Sequence, residues 1–124
     1  MKKRSSKWAA VCLEWNPKRR AFLEEHLYCA ECGGCATDCH EILAGAHRNK
    51  AFVERACWLR LCRRCHNKLQ GTDLIYQLAL KLLSDPSGFD LVKFHEVWGR
   101  PTTAITPAEV LEQIKRTLIH HNAA

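Results

Sequence analysis

Two pairs of cysteines, each with two residues between its members, constrain this chain more than any other feature. Cys29-Ala30-Glu31-Cys32 and Cys62-Arg63-Arg64-Cys65 have twenty-nine residues between them. Thiolates at this spacing can both reach one tetrahedral Zn²⁺, and two such pairs complete its shell. Gly33, directly after the second cysteine of the first pair, lets the backbone turn tightly with its amides facing sulfur. A structural zinc site at Cys29, Cys32, Cys62 and Cys65 is therefore expected. Cys32-Gly33-Gly34-Cys35 has the same spacing and leaves an alternative pairing open, with Cys35 as a bystander or an occasional substitute. Cys12, Cys39 and Cys57 have no such partner and read as small buried apolar side chains.

Metal is preferred over disulfides by context. The 124 residues suit one ordinary domain with a modest core. The longest apolar run, Leu74 to Leu83, is interrupted by Gln77 and Lys81, so no membrane span is expected. The basic start MKKRSSKW is followed by Glu14, Asn16 and Pro17 rather than by the apolar centre of a secretory signal. A cytoplasmic location follows as the expectation, and there thiols stay reduced.

The formal charge of +6 is unevenly spread. Residues 1–20 carry seven Lys or Arg against Glu14 alone, whereas residues 21–43 carry five acids and no Lys or Arg. Residues 44–70 return to seven Lys or Arg against Glu54 alone. Two basic blocks around an acidic one suit a polyanion held at both blocks, with a divalent cation between them. A solvated surface of a basic protein would give the same pattern.

Between the zinc pairs, Asp38-Cys39-His40-Glu41-Ile42 supplies a histidine and two carboxylates, and His66 directly follows the last cysteine. Joining the cysteines at zinc brings His40 and His66 near one another, which makes a second metal site plausible. Here the chain resembles the HNH nuclease family, in the phage and prophage form with two C-x2-C zinc pairs around a ββα-metal finger. The resemblance covers about residues 28–70 and is carried by Cys29-x2-Cys32-Gly33, His40-x-Ile42 and Leu61-Cys62-x2-Cys65-His66. It implies that His40 and His66 hold a catalytic divalent metal such as Mg, Mn or Ni. Glu41 falls where the family has its general-base histidine, and Cys57 where it has its middle asparagine. Glutamate is a weaker base than histidine; His47, in the following loop, is the alternative base, and Asn49 an alternative for the asparagine. The implied activity is phosphodiester hydrolysis in DNA by an endonuclease or nickase. Arg48, Lys50, Arg60, Arg63, Arg64 and Lys68 are the expected phosphate contacts. The rival reading is a zinc-stapled DNA-binding module that has lost its chemistry, or an accessory protein of phage assembly.

The expected fold class is α+β and mostly α: a zinc-stapled ββα-metal (HNH-like) finger with flanking helices. Three parts are expected: a basic arm and helix over residues 1–27, the finger over 28–71, and C-terminal helices over 72–124. Within the first part, residues 1–7 read as a mobile arm, Asn16-Pro17 as a break, and Lys18 to about Leu27 as a helix. In the last, Thr72-Asp73 can cap a buried helix from Leu74 to about Leu83, and a shorter helix spans about Asp90–Trp98. Thr106-Pro107-Ala108-Glu109 is a capping box that opens a helix to about Ile119. These helices are expected to pack on the finger, with a phage protein partner on them as the rival use. The four tryptophans read as core or contact residues rather than base-stacking platforms, with Trp8, beside the basic arm, the least settled.

Overall fold

The computed structural model describes the backbone of residues 6–122 and the side chains of residues 6–118. Helix α1 spans Ser6–Glu25 and contains Pro17. The expected break is thus absent, and Ser6 and Lys7 belong to the helix; the rest of the expected arm, residues 1–5, lies outside the described residues. An interior proline costs about 3 kcal/mol through its missing N–H and its clash with the preceding turn. Tertiary contacts on both sides of Pro17 offset that cost. Trp15 packs edge-on against Trp58 at 6.1 Å, Phe22 against the same ring at 5.4 Å, and Arg19 is buried between them in sequence.

Strands β1 (Asp38–Glu41) and β2 (Trp58–Leu61) form an antiparallel pair in which Asp38 faces Leu61 and His40 faces Leu59. Their connection holds two single 3₁₀ turns, Gly45–His47 and Arg55–Cys57, and the short helix α2 (Arg48–Phe52). Helix α3 (Arg63–Leu69) follows β2 directly, completing a strand–strand–helix unit. All four residues of β2 are buried, so this strand is the floor on which the helices rest.

The C-terminal helices follow their sequence signals. Asp73 caps α4 (Leu74–Ser84), accepting from the amides of Ile75 at 2.9 Å and Tyr76 at 3.3 Å. Asp90 caps α5 (Leu91–Trp98), which ends at Gly99 in the left-handed conformation, φ 74°. The capping box closes at the start of α6 (Pro107–Asn122): the Thr106 amide donates to Glu109 Oε1 at 3.1 Å, and the Glu109 amide to Thr106 Oγ1 at 3.2 Å. Buried Leu78, Phe94 and Val110 bring α4, α5 and α6 into the same core as Leu59 and Leu61 of β2.

One charged side chain inside this core corrects an expectation. Arg60 is not a phosphate contact. It is 3 % exposed, donates through Nε to the Phe22 carbonyl at 2.7 Å, and pairs with Glu25 at 3.1 Å. The register of β2 turns it inward under α1, where those acceptors compensate its charge. Beside it, fully buried Lys81 pairs with Asp85 at 2.6 Å, and Arg55 reaches the other oxygen of Asp85 at 2.9 Å. A Cβ at Gly88 would collide with the Asp85 carboxylate, so this close approach requires glycine. Among the described residues, no helix is long and apolar enough to cross a membrane.

Candidate metal centre and cleft

The cysteine staple forms at the end of the hairpin. In the first knuckle the Cys29 amide donates to the Gly34 carbonyl at 2.6 Å and the Gly33 amide to the Cys29 carbonyl at 2.9 Å, with Gly33 at φ 77°. This turn aims the Gly34 amide at Cys32 Sγ, 3.4 Å away, and that hydrogen bond is the main cause lowering the Cys32 thiol below its ordinary value. In the second knuckle Cys62 is the N-cap of α3, its Sγ accepting from the Cys65 amide at 3.5 Å. The four Sγ atoms of Cys29, Cys32, Cys62 and Cys65 lie within 4.8 Å of one another. Cys32 and Cys62, at 3.8 Å, are far beyond a disulfide bond length. Four converging thiols at this spacing could hold a structural zinc. Burial first, and then hydrogen bonds with its cysteine neighbours, push Cys65 up to about 12, and a divalent cation is what favours the thiolate form of a coordinating cysteine. Cys35 is outside the cluster, exposed and bridged through its backbone to Tyr28, so the knuckle is Cys29 with Cys32. Among the described residues this is the one set of three or more His, Cys, Asp or Glu side chains whose ligand atoms converge.

Glu31, inside the first knuckle, ties the staple to the helices. It pairs with Lys68 of α3 at 3.2 Å and accepts a hydrogen bond from the Tyr76 hydroxyl of α4. Lys68 is therefore engaged in holding the knuckle to α3, although its side chain stays 64 % exposed.

Beside the staple, β1 and α3 bring Asp38, His40 and His66 together. The His40 and His66 rings stand 4.8 Å apart at 81°, as the sequence led one to expect. Each ring also faces a further partner of its own. His40 Nε2 lies 2.8 Å from Gln77 Oε1, and Gln77 Nε2 donates to the Leu69 carbonyl at 2.9 Å. Since the amide nitrogen of Gln77 is committed as donor, its oxygen accepts, and His40 carries its proton on Nε2; the tautomer is thus assigned from the network. Burial, the largest influence, lowers the His40 pKa below its ordinary 6.5, so the ring is neutral with Nδ1 as its lone-pair nitrogen. His66 instead faces Asp38, with Nδ1 to Oδ2 at 3.2 Å. These two atoms are within ion-pair distance, yet both are buried and neither has an aligned hydrogen bond. Arg63 Nε lies 3.2 Å from the same Asp38 oxygen.

A cleft of about 700 Å³ opens over this group, lined by Asp38, Glu41 and His66 together with Arg19, Arg48, Asn49 and Arg63. A smaller cavity of about 80 Å³ adjoins it through Glu41, Arg48 and His66 and is also lined by His40. Glu41 thus borders both spaces. Its Oε1 pairs with Arg19 at 3.2 Å, and Arg19 in turn donates to the carbonyls of Cys39 at 2.9 Å and Phe52 at 3.2 Å while stacking on the Phe52 ring. His47 ends the 3₁₀ turn and lines neither space. Cys57 is fully buried, its thiol pushed up to about 12 by burial, whereas Asn49 reaches the cleft. Of the expected phosphate contacts, Arg48 and Arg63 line the cleft, Lys50 lines a neighbouring groove, and Arg64 is exposed beside the staple.

In the sequence Asp38 reads only as one of two carboxylates beside His40, with no role assigned to it, and Arg19 and Gln77 do not read as site residues. Asp38 carried a usable signal, since residues two apart on a strand share a face and it precedes His40 by two. Gln77 was visible only as a polar interruption of an apolar helix, and Arg19 only as one charge in a basic run. No protein-family model, no curated protein and no solved structure matches this chain.

Proposed function

We propose that the protein is a divalent-metal-dependent DNA endonuclease or nickase of HNH type, working in the cleft over β1 and α3. The observation that carries this reading is the Asp38–His66 pair: a carboxylate oxygen and an imidazole nitrogen, both buried, 3.2 Å apart and without hydrogen-bond partners, beside a second histidine. Neither atom has an aligned hydrogen bond even though Arg63 Nε stands 3.2 Å from the same Asp38 oxygen, and a carboxylate with imidazole suits Mg, Mn or Ni. Asp38 and His66 would hold the ion, with His40 beside them. When bound, it would supply positive charge where charge develops on the leaving 3′ oxygen.

The chain's own residues do the rest. Glu41, at the border of both spaces, takes the proton from the attacking water, and Arg19 fixes its carboxylate by holding Oε1. Arg48 and Arg63 on the cleft wall neutralise the phosphates on either side of the bond cut. Gln77 keeps His40 in the Nε2–H tautomer.

A second reading, a zinc-stapled DNA-binding module, is favoured by one specific feature: Cys57 is sealed in the core where the family has its asparagine. Nicking of supercoiled plasmid with Mg²⁺, Mn²⁺ or Ni²⁺ separates the two, comparing wild type with Asp38→Asn, Glu41→Gln and His66→Ala. Metal-dependent nicking lost in these variants is expected; DNA binding with no nicking under any metal would leave the binding module.

A further inference from the structure

A groove of about 460 Å³ beside the cleft is not used by the chemistry above. Lys7, Trp8 and Val11 of α1 form one wall, and Asn49, Lys50 and Val53 around α2 form the other. Its two charged residues are both lysines, and no carboxylate lines it. Trp8 and Asn49 also line the larger cleft, so the two spaces adjoin along those side chains. Trp8 leans on Phe52 at 5.2 Å and 55°, and Phe52 lines the cleft, so an aromatic rib divides groove from cleft.

We propose that this groove receives an unpaired base of single-stranded DNA, whose neighbouring phosphate lies in the cleft. The proposal rests on the reading of the cleft as a DNA site and deepens it, making the substrate a DNA with an unstacked nucleotide beside the bond cut. Bases in a duplex are paired and stacked on each other and present only their edges, so a base reaches an aromatic face when it is unpaired. The apolar walls favour the face of a base, and Lys7 and Lys50 suit the phosphates flanking it.

The test is equilibrium binding by fluorescence anisotropy, with the zinc-loaded full chain and no added catalytic cation. The probes are a labelled single-stranded oligonucleotide and a blunt duplex of the same sequence. Tighter binding of the single strand is expected, with Trp8→Ala weakening it about tenfold, the scale of one stacked base, and Trp8→Phe retaining most of it. Duplex affinity should fall less than single-strand affinity, because duplex bases do not enter the groove and Trp8 meets a duplex only at the cleft edge. Val53→Glu, which places a negative charge in the groove without touching the aromatic pair, should weaken the single strand similarly and decides the matter if Trp8→Ala does not fold. Equal affinity for the two probes, or a folded Trp8→Ala or Val53→Glu protein that binds the single strand like wild type, would overturn the proposal. Plasmid nicking is a separate readout. A chain that binds single strands through Trp8 and nicks under no metal keeps the groove and loses the nuclease; one that nicks without Trp8-dependent binding does the reverse.

Discussion

His40 and Gln77 are joined by a buried hydrogen bond of 2.8 Å between Nε2 and Oε1, across thirty-seven residues of sequence. Gln77 is fully buried in the first turn of α4, and its amide also reaches back to the Leu69 carbonyl at the end of α3. One side chain therefore locks the strand that carries the site to the two helices packed behind it. Replacing Gln77 by Leu fills the volume but leaves the buried His40 N–H without its partner, whereas the Leu69 carbonyl keeps the Thr72 amide and hydroxyl. A loss of about 1–3 kcal/mol is expected by urea denaturation. Nitrogen chemical shifts of the His40 ring should show the proton on Nε2 in wild type; a proton on Nδ1 would contradict the assigned tautomer.

Zinc content tests the staple. Metal analysis after purification without chelator should find one zinc per chain, and Cys32→Ser or Cys62→Ser should abolish tight binding. Cys35→Ser should leave it unchanged, since Cys35 lies outside the cluster. Structural zinc contributes on the order of 10 kcal/mol or more in small metal-folded units, so chelation should lower the melting temperature sharply. A chain that melts at the same temperature with and without chelator would remove the staple from the account.

Acid should unfold the protein through Asp85. Burial alone would raise its pKa, but hydrogen bonds from Arg55 and Lys81 outweigh it and hold the carboxyl well below its ordinary 3.8. A carboxyl lowered on folding contributes stability above its unfolded value, and that contribution is lost as pH falls below about 4 toward the folded value. Asp85→Asn leaves fully buried Lys81 without its counter-charge, and a loss of about 3–5 kcal/mol at neutral pH is expected. The variant should also show a weaker dependence of stability on pH below 4 than wild type, measured by denaturation at a series of pH values.

Arg60 and Arg63 should separate stability from binding. Arg60→Ala removes a buried cation with three oxygen acceptors, from Phe22, Ser84 and Glu25, and should destabilise the fold while leaving the salt dependence of DNA binding unchanged where the protein is still folded. Arg63, 73 % exposed at the cleft, should behave oppositely. Arg63→Ala should leave stability within about 0.5 kcal/mol and reduce the slope of log affinity against log salt by about 1.

The C-terminal half was the most legible part of the sequence, and particular residues show why. Asp73, Asp90 and Thr106 with Glu109 cap their helices through neighbours within three residues, and local hydrogen bonds of that kind are written in the sequence. Pro17 misled for the complementary reason. Its local cost is real, but Trp15, Arg19 and Phe22 dock on the hairpin from either side of it, and those contacts were invisible without the partner Trp58. Arg60 misled in the same way, because a basic residue in a basic block reads as surface until its strand is seen to be buried on every position.

By itself the sequence determined the spacing of the cysteines, the knuckle glycine, the helix caps and the strand position that sets Asp38 and His40 two residues apart. Each depends on covalent geometry or on bonds between near neighbours. The tertiary structure alone decided the partners. It set Asp38 against His66, gave His40 to Gln77, fixed Glu41 with Arg19 and drew Arg60 into the core. A partner choice across twenty or more residues depends on which elements pack together, and that follows from the burial of the whole chain rather than from any one segment.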